Sequence, residues 1–168
     1  MSRKNAFYAQ SGGVTAVINA SACAVVETAR KHRNKIAKVY AGRDGIIGAL
    51  TEDMIDTSKE SARNIAALKY TPGGAFGSCL YKLKGFEENE AQYRRLIDVF
   101  AAHDIGYFFY NGGNDSMDTA HKVSLISREQ GAVSAESWPA LAYDQHLKLM
   151  EEVSLQQEKG GAVPHTTT

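Results

Sequence analysis

Apolar and polar positions along this chain alternate between two rhythms. Short, nearly continuous apolar runs at Asn5–Gln10, Ile36–Ala41 and Ile105–Tyr110 read as strands covered on both faces. Between them the apolar residues fall three and four apart. Ile18, Ala22, Val25, Val26 and Ala29 predict a helix from about Val14 to about His32. Ala62, Ile65, Ala66 and Leu68 predict another within residues 60–69, and Tyr93, Leu96, Ile97 and Phe100 a third over Gln92–His103. Strands alternating with helices predict an α/β fold: an open parallel sheet, joined by right-handed crossovers, with helices on both faces. After Gly131 no apolar run suits a central strand. The pattern therefore divides the chain into an α/β domain over 1–131 and a divergent tail over 132–168, weakly helical over Leu141–Gln157 and then disordered. A sheet ending on the helix after Asn114 lacks its next strand, so the expectation is a chain truncated or replaced near residue 131.

Glycines punctuate the junctions. Ser11-Gly12-Gly13 follows the first strand, and Gly112-Gly113 follows the aromatic strand at Tyr107–Tyr110. A third glycine-rich loop runs from Thr71 to Ser78, TPGGAFGS, where Pro72 forbids a continuing helix. In open α/β sheets ligands collect at the carboxyl ends of the strands, so Gly12, Gly77 and Gly113 are expected on one crevice. Asn114, Asp115 and Ser116 stand where a helix N-terminus needs side-chain caps, and such a terminus directs N–H groups at an anion. Two roles are open to Asp115: it caps the helix, or its carboxylate occupies ground a phosphate would otherwise take. Ser116 is likewise a cap or a ligand. Lys82 and Lys84, two apart, reach a phosphate or stand on a solvated loop.

Composition changes this picture little. The 168 residues are 43% hydrophobic and 23% charged, which suits one globular domain burying roughly 70% of its unfolded surface. A net charge of zero gives no pull toward nucleic acid or an anionic membrane. No run approaches a membrane span, and the N-terminus lacks the apolar core of a signal peptide. Cys23 and Cys79 have no CxxC spacing, and the five histidines have no metal-ligand spacing, so the expected setting is cytoplasmic with free thiols.

The order SGG, GGAFGS, then GGNDS after an aromatic strand resembles the N-terminal part of the 6-phosphofructokinase family, over about residues 5–130. That resemblance implies transfer of a phosphoryl group to the 1-hydroxyl of fructose 6-phosphate, with Mg²⁺, in a homo-oligomer when the enzyme is complete. It places Gly12, Gly13, Gly77, Ser78, Lys82, Gly113, Asn114, Asp115 and Ser116 at the donor phosphates, with Asn114 at the metal. It also makes Asp115 the donor selector. ATP-dependent members of the family usually carry glycine there, and pyrophosphate-dependent members aspartate. A carboxylate beside an α-phosphate repels and crowds it, whereas pyrophosphate ends before that point.

The chain departs from the family in three places. Asn114 replaces a magnesium-linked aspartate, offering an amide oxygen without the charge. Leu80 stands where an arginine often reaches the donor, leaving Lys82 or Lys84 to supply charge. The family's T-[IV]-D-N-D segment, which holds the catalytic base, does not follow residue 131. Two functions remain: a pyrophosphate- or ATP-dependent phosphofructokinase of which this chain is an inactive part, or a module that binds phosphate or pyrophosphate and catalyses nothing.

Overall fold

A computed structural model describes residues 3–129, apart from residues 14, 16 and 82. Its first strand, β1 (Lys4–Gln10), occupies the middle of the sheet and is followed by helix α1 (Ile18–Lys31). Then come β2 (Ile36–Gly42), the short helix α2 (Ile46–Leu50), β3 (Met54–Asp56) and α3 (Ala62–Ala67). Helix α4 (Phe86–Ala102), β4 (Ile105–Asn111) and α5 (Asn114–Glu129) complete the described chain. The strands lie in the order β3-β2-β1-β4. β1 pairs in parallel with both β2 and β4, as the alternation of strand and helix predicts. β3, which the sequence pattern did not single out, pairs antiparallel with β2 and makes the sheet mixed. Three residues are too few to show a strand's alternation.

Both neighbours of β1 carry one extra residue at the same level. Lys4 pairs with Ile36 but Ala6 with Val39, and Asn5 pairs with Ile105 but Ala6 with Tyr107. On β4 the extra residue is Gly106, where an added Cβ would lie 2.7 Å from that of Lys4.

The pleat of β1 sorts two cores. Ala6 and Tyr8 face α1, packing with Ala22, Cys23, Val25, Val26 and Ala29. Phe7 and Ala9 face the other way, with Tyr93, Leu96 and Phe100 of α4 and Val123 and Ile126 of α5. Phe7, Phe100 and Phe108 meet with ring centroids 5.4–5.8 Å apart. β1 is thus buried on both faces from Ala6 to Gln10. On β4, among the described residues an edge strand, Tyr107, Phe108 and Tyr110 are only half-buried.

Helix boundaries differ from the sequence pattern at two points. α1 begins at Ile18, later than the predicted start near Val14, which lies outside the described residues. Its Val17 cap position makes no side-chain hydrogen bond, while Arg30 and Lys31 in the last turn complement the helix dipole. α4 begins at Phe86, ahead of the predicted Gln92, with a break at Asn89; the Phe86 ring packs 5.8 Å from that of Tyr93 and extends the helix backward. No helix among the described residues is long and apolar enough to cross a membrane. The tail over 132–168 lies outside the described residues.

Candidate functional site

β1 and β4 run side by side in parallel, so their carboxyl ends, and the turns that follow, are neighbours. Ser11 N–H donates to the Asn111 carbonyl (2.9 Å), carrying the ladder into the first glycine turn. Gly12 adopts φ +84°, a conformation that side chains strain to reach. A Cβ there would lie 3.8 Å from the Gly113 nitrogen, so the first and second glycine turns touch. Gly112 sits under the Ser11 carbonyl and the Ser116 hydroxyl with no room for a Cβ.

α5 opens directly from this turn, its Ser116 and Met117 N–H groups bonding to the Gly113 carbonyl at 3.0 and 3.2 Å. Ser116 is buried, and its hydroxyl meets that of Ser11 at 2.5 Å. The side chain thus ties α5 to the first glycine turn. Gly113, Asn114 and Asp115 are exposed at the helix start, and so is Gly13. Added Cβ atoms at Gly13 and Gly113 would meet nothing within 4 Å, so both turns present open backbone.

The third loop joins them. The Ser78 hydroxyl donates to the Gly12 carbonyl (2.9 Å), and Cys79 forms a parallel bridge with Ser11. Gly77, at φ +74°, packs against Asp44 with no space for a side chain. The Cys79 thiol donates to the Asp44 carbonyl (2.8 Å), and burial raises its pKa. Gly12, Gly77 and Gly113 are therefore brought to one end of the sheet, as the glycine pattern predicts. Lys82 lies outside the described residues. Lys84 is exposed and faces Glu88 at 3.7 Å, on the solvated side of α4's first turn. Leu80 is 89% exposed. Asp118 pairs with Lys122 (2.6 Å), one turn along α5.

Several residues that hold this arrangement were not singled out by the sequence. Asn19 on α1 and Gln10 at the end of β1 are fully buried and bond to the third loop. Asn111 donates to the Tyr8 hydroxyl (3.0 Å) and to the Ile18 carbonyl (3.3 Å). Burial pushes the Tyr8 phenol up to about 12, against the lowering effect of the Asn111 bond, so it stays protonated. Only Ser11 carried a signal, as the first letter of SGG. The others act across 52 to 103 residues of chain, which no local pattern reports.

Chemically, this end of the sheet offers what an anion requires: glycine turns that bring backbone close and the start of a helix, while its serine hydroxyls bond within the site. Its exposed carboxylate, Asp115, stands in the first turn of α5. Among the described residues no three of His, Cys, Asp and Glu gather in a way that would hold a metal ion on their own. Mg²⁺ usually takes one or two carboxylates and fills its shell with water and substrate phosphates. A single aspartate beside an amide therefore fits a magnesium ion that arrives with a polyphosphate.

Comparison with known proteins agrees with this geometry. Residues 5–135 match the family described as Phosphofructokinase. A pyrophosphate–fructose 6-phosphate 1-phosphotransferase of Methylococcus capsulatus is 72% identical over 131 residues, 78% of this chain and 31% of that protein. Its counterpart in Halomonas elongata is 67% identical over the same span and coverage. The chain thus spans about a third of the length of these curated relatives. The crystal structure of a pyrophosphate-dependent phosphofructokinase from Nitrosospira multiformis superimposes with a TM-score of 0.72 at 67% identity, covering 76% of this chain and 31% of that one. Pichia pastoris phosphofructokinase, 20% identical with a TM-score of 0.60, shares the fold over 75% of this chain and 13% of its own. Matched over residues 5–135, the chain belongs to the phosphofructokinase family.

Proposed function

We propose that the crevice is the phosphoryl-donor site of a pyrophosphate-dependent phosphofructokinase, and that residues 1–131 form its donor-binding unit, with 132–168 outside it. The observation that carries the reading is the contact of Gly12 with Gly113 at the carboxyl ends of adjacent parallel strands, with α5 opening at the next residue. Backbone of Gly12, Gly13, Gly77 and Gly113, with Ser78 and Asn114, surrounds the donor phosphates, and buried Ser116 joins the second turn to the first behind them; Lys82 adds charge. The Asn114 amide oxygen and the Asp115 carboxylate would hold the magnesium that accompanies pyrophosphate. That ion neutralises charge on the phosphates.

In the full reaction the terminal P–O–P bond breaks and inorganic phosphate leaves. The phosphoryl group bonds to the 1-hydroxyl of fructose 6-phosphate, whose proton goes to a base, and fructose 1,6-bisphosphate results. The chain's own residues hold and orient the donor. A positioned general base typically contributes about a hundred- to ten-thousand-fold, and the family segment that carries it is not in this sequence. For these 168 residues alone we expect donor binding without turnover. The acceptor, the glycolytic role, the cytoplasmic setting and a homo-oligomeric assembly belong to the proposal for the full-length enzyme.

Calorimetry with Mg-pyrophosphate and Mg-ATP tests the reading. Like charges about 4 Å apart repel by on the order of 1–4 kcal/mol near a protein surface, so pyrophosphate should bind about tenfold or more tighter than ATP. Asp115→Gly should narrow or reverse that ratio. Equal affinities in the unmodified chain would refute the assignment of Asp115. A coupled assay for fructose 1,6-bisphosphate should show no turnover with either donor; a rate near one per second, the low end of ordinary enzymes, would reveal a base and an acceptor site in this chain.

A further inference from the structure

We infer that Asn19 and Gln10 are a pair of positioning residues: two buried amides that set the shape of the third glycine loop and thereby aim Gly77 and Ser78 at the donor crevice. The inference rests on the donor-site reading above and extends it to residues remote from the ligand.

Asn19 makes three hydrogen bonds and spends all of them on one segment. Its amide nitrogen donates to the carbonyls of Thr71 (2.8 Å) and Gly73 (2.6 Å), and its oxygen accepts from the Ala75 N–H (2.8 Å). Gln10 takes the other end of the same segment, donating to the Gly77 carbonyl at 2.8 Å. The orientation of Gln10 is dictated from behind. Asn111 donates to the Tyr8 hydroxyl, which donates to the Gln10 oxygen (3.2 Å), so the Gln10 NH₂ is the end left to meet Gly77. A Cβ on Gly74 would lie 2.9 Å from that nitrogen, so the loop backbone lies close over it.

A buried amide needs partners wherever it sits, and that alone would make these two merely satisfied core groups. Their partners argue for more. From Thr71 to Ser78 the loop buries one hydrophobic side chain, Phe76, and contains three glycines and a proline. Packing therefore fixes little of it; two backbone bonds, Gly77 N–H to the Gly74 carbonyl and Asp44 N–H to the Phe76 carbonyl, hold its turn, and the four bonds from Asn19 and Gln10 tie it to the core. The residue that follows Gly77 is Ser78, whose hydroxyl bonds to the Gly12 carbonyl. The amides thus stand one residue behind the contact between the third loop and the first glycine turn.

The variants Asn19→Asp and Gln10→Glu keep size and shape but replace an NH₂ donor by an oxygen. Amide hydrogen exchange at Ala75 and Gly77 reads the loop. The Ser11 amide, bonded to Asn111, reads the sheet. Mg-pyrophosphate is the ligand probe. In each variant the exchange of its loop amides should quicken about tenfold or more while Ser11 stays protected, and pyrophosphate should bind about tenfold more weakly. A buried carboxyl holds its proton to higher pH and then donates again. The affinity gap to the unmodified chain should therefore shrink between about pH 8 and about pH 6 in both variants, and not in Asn19→Leu.

Unchanged loop exchange would overturn the inference, as would quickened exchange with affinity within about twofold of the unmodified chain. Loss of Ser11 protection together with the loop would also overturn it, because the amides would then support the whole sheet. If the unmodified chain binds no pyrophosphate, the donor-site reading fails, and the exchange data still decide whether the amides set the loop.

Discussion

The two Gly-Gly turns follow adjacent strands of the same sheet and are written alike, strand, then glycines, then helix, yet they are built differently. The first needs a glycine at positive φ, and its helix begins only at Ile18, with no side chain capping it. The second has no positive φ, and α5 starts at Asn114, immediately after Gly113. The first turn is a platform tied from two sides: the Gly12 carbonyl accepts from Ser78, and the Ser11 carbonyl lies against Gly112. The second is an open helix start. One sequence pattern thus supplies two parts of a site, one that supports and one that presents N–H groups, and the Ser11–Ser116 bond joins them.

The comparison is broken most severely by filling Gly112. A Cβ there collides with Ser116 and lies 2.7 Å from the Ser11 carbonyl, whereas one on Gly113 meets nothing. Overpacking of this kind typically destabilises by about 1–3 kcal/mol, so Gly112→Ala should lower the Tm by roughly 3–10 °C. Gly113→Ala should stay within about 0.5 kcal/mol of the unmodified chain. Gly12→Ala falls between them, at about 1 kcal/mol, for its backbone conformation alone. Thermal melts of the three variants should preserve that order, and equal losses at Gly12 and Gly113 would mean the two turns are not distinct.

Removing the joint is the next largest effect. Ser116→Ala leaves the Ser11 hydroxyl buried without its partner, a loss of about 1–3 kcal/mol. Because Ser116 is also the group that a Gly112 side chain would strike, the double variant should lose less than the sum of the two, with a coupling of at least about 0.5 kcal/mol by chemical denaturation. Additive losses would place the clash elsewhere.

The smallest effect is acid. Burial works against the Asp56 carboxylate, but hydrogen bonds from Ser58 and Lys38 outweigh it and hold its carboxyl below the ordinary value. Arg95 and then His103 hold that of exposed Glu52 low as well. In each case the unfolded chain takes up a proton more readily than the folded one. The stabilisation is complete above the ordinary carboxylate value of about 4 and is lost as pH falls through the lower folded value. Neither group touches the glycine turns, which are joined by neutral serines. Below about pH 4, hydrogen exchange should therefore loosen β3 and the 3₁₀ turn Thr57–Lys59 before the Ser11 amide, and Asp56→Asn should remove most of that acid sensitivity.

What the chain discloses in its letters follows the same division. β1, β2 and β4 are legible because burial on both faces leaves a nearly continuous apolar run, and the long helices because burial on one face leaves a period of 3.6. The glycine turns are legible because a backbone that must turn sharply admits few residue types. β3 is too short to show a period, and α2 is one turn of helix after a glycine at positive φ. Asn19, Gln10, Tyr8 and Asn111 are polar residues inside apolar stretches, and their meaning lies in partners far along the chain. A strand pattern registers Gln10 as the end of a strand; only the fold shows Gly77 above it.

The paired one-residue offsets beside Ala6 bear on how such a chain tolerates insertion and deletion. Toward the amino end of each neighbouring strand, the bulge is a place where a residue gained or lost is absorbed before the ladder settles into step with β1. Beyond it there is no such slack. A single deletion between Tyr107 and Tyr110 would swap the faces of the aromatic residues and carry Asn111 away from Tyr8. The glycine turn would then be delivered one place out of step with Ser11. Length changes in a lineage of this fold should accumulate before the bulge and be purged after it.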